Sequence, residues 1–127
     1  MGDTQKKSIL VVDDDVTTLR SLKNILQGEY SVSLAANAEN AFEFLRGHRP
    51  DLILLDYMMP VLDGKEALIR LRQDEKTASI PVIFLTAISQ ADTVKECLSL
   101  NCQGYILKPV NPRSLLDKIA RFFAAKK

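Results

Sequence analysis

The sequence predicts an α/β fold, a three-layer doubly wound (βα)5 arrangement with a five-stranded parallel sheet between two layers of helices. Three observations predict it. The runs Ile9-Leu10-Val11-Val12, Leu52-Ile53-Leu54-Leu55 and Val82-Ile83-Phe84-Leu85 have the length of strands and the unbroken apolarity of strands buried on both faces. Segments with helical period separate successive strands, as parallel pairing requires. The length of 127 residues fits one domain, 1–127, with a core at about 8–123, and it suffices to bury a core without staples.

Residues 8–13 read as the first strand. A helix follows over about 15–27, with Val16, Leu19, Leu22 and Leu26 on one face and Gly28 closing it. Ser31-Val32-Ser33-Leu34-Ala35 alternates and fits an edge strand. The second helix carries Ala38, Ala41, Phe42 and Leu45 at i, i+3, i+4 and i+7, and ends by Gly47 and Pro50. The third strand is about 51–56. Asp63 caps the third helix, with Glu66 placed for a capping box and Ala67, Leu68 and Leu71 as its buried stripe. Pro81 opens the fourth strand. A fourth helix begins at Ser89 and uses Val94, Cys97 and Leu98 inside. The fifth strand is about 104–107. Asn111 caps the last helix, with Pro112 at its first position. Right-handed crossovers then give the strand order 2-1-3-4-5, whose switch point lies between strands one and three.

Ligands of an open parallel sheet bind beyond the carboxyl ends of its strands. Asp13 and Asp14 follow strand one, Asp56 ends strand three, Thr86 ends strand four and Lys108 follows strand five. Any one of these could be a cap or a turn, and Asp14 or Asp15 must cap the first helix. Their joint placement points to chemistry. Crowded carboxylates repel unless a cation joins them, and oxygen-only ligands favour Mg²⁺, with Mn²⁺ able to substitute. With the metal screening its charge, Asp56 can attack phosphorus to give an acyl phosphate, while Lys108 and Thr86 hold phosphoryl oxygens.

The remaining composition is quiet. Hydrophobic residues make up 46% and the net charge is +1, which gives no reason to expect nucleic-acid or membrane binding. No run is long enough to span a bilayer. The start, Met1-Gly2-Asp3-Thr4-Gln5-Lys6, has no apolar signal core, so a cytoplasmic location is expected. Cys97 and Cys102 match no metal spacing and are expected to be buried thiols, and His48 is expected in a surface turn. The last helix has a wide stripe, Leu115, Leu116, Ile119, Phe122 and Phe123, read chiefly as core.

With Val11-Val12-Asp13-Asp14-Asp15, Pro50-Asp51-Leu52-Ile53-Leu54-Leu55-Asp56-Tyr57-Met58-Met59-Pro60, Asp63-Gly64, Thr86-Ala87 and Lys108-Pro109, the chain resembles the receiver domains of two-component response regulators, a flavodoxin-like fold, from about Ser8 to Phe123. The resemblance implies a phosphorylation-activated signalling switch, not an enzyme in its own right. Asp56 would accept a phosphoryl group from a histidine kinase or histidine phosphotransfer protein. Asp14, Asp56 and the backbone carbonyl of Met58 would bind Mg²⁺, with Asp13 acting through metal-bound water. Thr86 and Tyr105 would form the switch pair, Tyr105 being exposed or mobile beforehand. A cis bond before Pro109 would aim Lys108 into the site. An output protein or fused output domain would read the change, and the fourth helix, strand five and last helix offer a phosphorylation-dependent dimer surface. Met58 and Ile88 would flank the path of attacking water, and two apolar residues there imply slow self-dephosphorylation.

Three other readings are weaker. A flavin or nucleotide binder would need a Gly-rich phosphate loop after strand one, where this chain has three aspartates. A phosphatase with an aspartyl-phosphate intermediate would want an acid at position 58, which is methionine. A degenerate receiver acting only as a binding module would not need so complete a site.

Overall fold

A computed structural model describes residues 6–59, 62–86 and 102–125 of the chain. The strands are β1 (Ser8–Val12), β2 (Ser31–Ala35), β3 (Leu52–Asp56), β4 (Val82–Thr86) and β5 (Gly104–Leu107). The described helices are α1 (Val16–Leu26), α2 (Ala38–Leu45), α3 (Gly64–Gln73) and α4 (Pro112–Ala125). All strand pairs are parallel, in the order β2-β1-β3-β4-β5. The helix expected from Ser89, with Val94, Cys97 and Leu98, and the positions Pro60, Ala87 and Ile88 lie outside the described residues.

Strand alternation divides the core into two layers. Leu10, Val12, Ile53, Leu55, Val82 and Phe84 face α2 and α3, meeting Ala38, Ala41, Leu45, Ala67, Leu68 and Leu71. Ile9, Val11, Leu52, Leu54, Ile83 and Leu85 face α1 and α4, meeting Leu19, Leu22, Leu26, Leu115 and Ile119. Each Val, Leu, Ile or Phe side chain among them contributes about 1.5–3 kcal/mol when fully buried. The edge assignment of β2 holds, since only Ala35 of its five residues is buried.

The helix starts follow their capping residues. Asp15 accepts from the Thr17 N–H, Asn37 from Asn40, Asp63 from Glu66 and Asn111 from Ser114, at 2.9, 2.7, 2.9 and 3.0 Å. Val16 departs from the expected stripe, being 55% exposed. It lies one turn before Leu19, past the carboxyl ends of the strands, where the helix has no sheet beneath it. The stripe on α4 is core at Leu115 and Ile119, with Leu116, Phe122 and Phe123 half-buried around them. His48 is an exposed turn residue, stacked on Phe44 at 4.3 Å. Cys102 is a free thiol, half-buried where full burial was expected, because it precedes the edge strand β5.

Candidate functional site

Three strands deliver the centre of the site. Asp13 immediately follows β1, Asp56 is the last residue of β3, and Lys108 follows β5. Backbone hydrogen bonds carry the sheet's order into these loops. The N–H of Asp13 reaches the Ala35 carbonyl at 3.1 Å, that of Tyr57 reaches Leu85 at 2.8 Å and that of Lys108 reaches Thr86 at 2.7 Å.

Alternation then decides which side chains meet. Asp13, Asp56 and Lys108 continue the positions that face α1 and α4, whereas Thr86 and Tyr105 continue those facing α2 and α3. The contacts agree. Lys108 Nζ lies 2.8 Å from Asp13 Oδ2 and 3.3 Å from Asp56 Oδ1. The Lys108–Pro109 bond is cis, as the resemblance implied. Asp13 is fully buried and Asp56 is 3% exposed. Asp13 Oδ1 accepts the Asp15 N–H at 2.9 Å, and Asp56 Oδ1 accepts the Met58 N–H at 3.3 Å.

Burial, reinforced by the negative charge of Asp13, pushes the Asp56 carboxyl up to about 7, against the opposing pull of Lys108 and the Met58 N–H. Burial opposes the charge of Lys108, but its contact with Asp13 and the charges of Asp56 and Asp13 outweigh that, and its pKa is raised. One ammonium therefore compensates two buried carboxylates only in part.

The donor set suits a hard divalent cation. Asp13, Asp14 and Asp56 each bring a carboxylate oxygen within 4.8 Å of the others. Asp13 Oδ2 is buried and, apart from its ion pair with Lys108, has no hydrogen bond. Asp14 is exposed at the mouth of the site, and among the described residues no His or Cys joins this cluster. Hard oxygens with room for water are the environment Mg²⁺ prefers.

The expected switch residues fall beside this centre. Thr86 is buried at 4% exposure. Tyr105 is half-buried against the core layer under α2 and α3, more enclosed than expected, with Lys118 Nζ 5.7 Å from its ring centre. Met58 is 70% exposed at the rim.

Gly64 is the site residue that periodicity did not single out. It is buried at the start of α3, and its N–H donates to the Tyr57 carbonyl at 3.0 Å. A Cβ there would fall on the Asp56 carbonyl oxygen and within 2.8 Å of the Tyr57 Cα. Only glycine lets α3 press against the backbone that carries Asp56. The sequence signal was a glycine directly after a capping aspartate, where a helix former serves better unless space forbids it.

An acidic cluster and an invading lysine at the carboxyl ends of a 2-1-3-4-5 sheet define a receiver-type phosphorylation switch, and the chain belongs to the response regulator receiver domain family, matching it over residues 9–120. Among characterised relatives it is 36% identical over 121 residues to response regulator Rre1 of Synechocystis, covering 94% of this chain and 52% of that protein. It is 37% identical over 114 residues to the phosphate regulon transcriptional regulatory protein PhoB of Pseudomonas aeruginosa, covering 89% and 50%. The chain thus spans about half the length of the curated relatives it matches. Similar solved structures include the chemotaxis protein CheY4 of Vibrio cholerae, with TM-score 0.86, 28% identity and coverage of 91% and 98%. A CheY-like receiver domain protein of Methanospirillum hungatei gives 0.85, 33%, 95% and 96%.

The chain is accordingly a regulatory domain of two-component signalling. Among the described residues no helix is long and apolar enough to cross a membrane.

Proposed function

We propose that Asp56 accepts a phosphoryl group from the phosphohistidine of a histidine kinase or phosphotransfer protein, and that the chain acts as a cytoplasmic switch. The observation that carries this reading is Lys108 Nζ against both Asp13 and Asp56, beside a cluster of three carboxylates. Asp13, Asp14, Asp56 and the Met58 carbonyl would hold Mg²⁺. When bound, the metal screens the carboxylate charge and neutralises charge growing on the phosphoryl oxygens.

The chain's own residues do the rest. An Asp56 oxygen forms the new bond to phosphorus as the phosphorus–nitrogen bond breaks, and the freed imidazole takes a proton. Lys108 offers its ammonium to a phosphoryl oxygen in place of the carboxylate contact it holds beforehand. Thr86 turns its hydroxyl to another oxygen, and Tyr105 follows into the space released on the same side of the sheet. The exposed surface of β5 and α4, where Leu107 is 41% exposed, changes with it, and an output partner, an output domain or a second copy reads it. About 1–3 kcal/mol of differential stabilisation is enough for a useful response.

The test is intact mass after incubation with phosphoramidate, with and without Mg²⁺. A Mg²⁺-dependent gain of about 80 Da, one phosphoryl group, in the wild type and none in Asp56→Asn is the expected result. No gain under any condition would leave the chain a binding module.

A further inference from the structure

Two methionines follow Asp56 closely, and the fold treats them oppositely. Met59 is 8% exposed and belongs to the core layer under α2 and α3, whereas Met58 is 70% exposed. Tyr57 turns inward, its ring edge-on to Phe84 with centres 5.2 Å apart. Met58 is tied to the acceptor by its backbone, since its N–H reaches Asp56 Oδ1 at 3.3 Å. An unbranched thioether is thus rooted at the rim of the carboxylate and open to solvent. Exposed thioethers are oxidised by peroxides, whereas enclosed ones are shielded.

We propose that Met58 is a peroxide-sensitive modification site, and that its sulfoxide shortens the life of a phosphoryl group on Asp56. This rests on Asp56 being the phosphoacceptor. Hydrogen peroxide transfers one oxygen to the sulfur lone pair. The O–O bond breaks, an S–O bond forms and water leaves, so sulfur is oxidised by two electrons and the peroxide reduced. The side chain changes from apolar to a strong hydrogen-bond acceptor of similar length. A water held by that acceptor attacks phosphorus, the bond from phosphorus to the Asp56 oxygen breaks, and carboxylate and inorganic phosphate are released, with one proton passing to solvent. The thioether gives such a water nothing to bind. A sulfoxide reductase restores methionine, so the effect is reversible.

The experiment has two readouts on the full chain. Peptide mapping after graded hydrogen peroxide, on unphosphorylated protein without metal, compares oxidation at Met58 and Met59. Intact mass then follows phosphoryl loss after loading with phosphoramidate and Mg²⁺, for the wild type before and after peroxide, after reductase repair, and for Met58→Leu and Met58→Gln. Met58 is expected to oxidise at least about tenfold faster than Met59, as exposure dictates. Oxidation is expected to shorten the wild-type half-life about fivefold, the factor one ordinary hydrogen bond supplies. Repair reverses this, Met58→Leu is insensitive to peroxide, and Met58→Gln decays faster than Met58→Leu without any oxidant. Equal oxidation of the two methionines overturns the modification site. Selective oxidation with an unchanged half-life, or the same peroxide response in Met58→Leu through Cys102 or another group, overturns the effect on Asp56. Failure of untreated protein to take up phosphate instead refutes the acceptor reading, and mass reports that before any peroxide is added.

Discussion

Replacing Asp56 with asparagine should make the metal-free protein more stable at neutral pH. Burial and the charge of Asp13 push the Asp56 carboxyl up to about 7 in the folded state, from 3.8 for a free carboxyl. Between those values the folded state holds a proton that the unfolded chain has released. The stability this group contributes is fully present below the unfolded value and is lost as pH rises through the folded one. Where the two states differ by a whole proton, the slope is about 1.36 kcal/mol per pH unit. From about pH 5 to about pH 8 the wild type should therefore lose roughly 2–3 kcal/mol through Asp56 alone. Asparagine keeps the shape and has no proton to lose. Urea unfolding in the presence of a chelator, followed by far-ultraviolet circular dichroism across that range, gives both curves. The stability advantage of Asp56→Asn should grow with pH by about 2–3 kcal/mol, a large part of the 5–15 kcal/mol typical of a domain. Added Mg²⁺ should stabilise the wild type and shrink the difference, because a ligand bound only by the folded state adds to its stability. Curves that stay parallel from acid to neutral pH would refute the claim that Asp56 is a strained, proton-holding carboxyl.

Lys108→Ala removes the ammonium that lies 2.8 Å from Asp13 and 3.3 Å from Asp56, so phosphorylation by phosphoramidate should slow by about 10–100-fold, read by intact mass against time. Gly64→Ala forces backbone against backbone at Asp56 and Tyr57, and should cost about 1–3 kcal/mol in urea unfolding while also slowing phosphorylation. Leu22→Ala empties a fully buried position between α1 and the sheet, and should cost about 2–5 kcal/mol while leaving the phosphorylation rate of the folded protein intact.

Leu22 and Gly64 also mark the boundary of what the residues alone disclose. The core was legible because strands buried on both faces stay apolar between their ends, so β1, β3 and β4 announce themselves by four-residue apolar runs, and β2 betrays its edge position by Ser31 and Ser33. Val16 was misplaced because helical period reports a direction around an axis and not where the supporting sheet stops. Gly64 was legible as a helix start but not as a point of backbone contact, since that contact joins α3 to the carbonyl of Asp56 across a loop. The position of Tyr105 was least legible. Its enclosure depends on its place in an edge strand and on Lys118 reaching over its ring from α4, a pairing no local pattern encodes.

The three consecutive aspartates show how geometry divides labour that composition leaves undivided. Asp13 still takes its place in the sheet, donating its N–H to Ala35, and alternation turns its carboxylate inward to Asp56 and Lys108. Asp15 is the residue before the first helical turn, and its side chain takes the Thr17 N–H, while its own N–H is held by Asp13 Oδ1. That leaves Asp14 as the carboxylate committed to neither task, exposed yet within 4.8 Å of the two buried ones. A cap three residues after the strand thus does more than start α1. Had Asp14 been the cap, its oxygens would be occupied by backbone N–H groups and the cluster would keep only its two buried acids, which Lys108 alone partly satisfies. The cap at Asp15 frees the third carboxylate, and with it completes an oxygen-rich cluster whose donors suit a hard divalent cation.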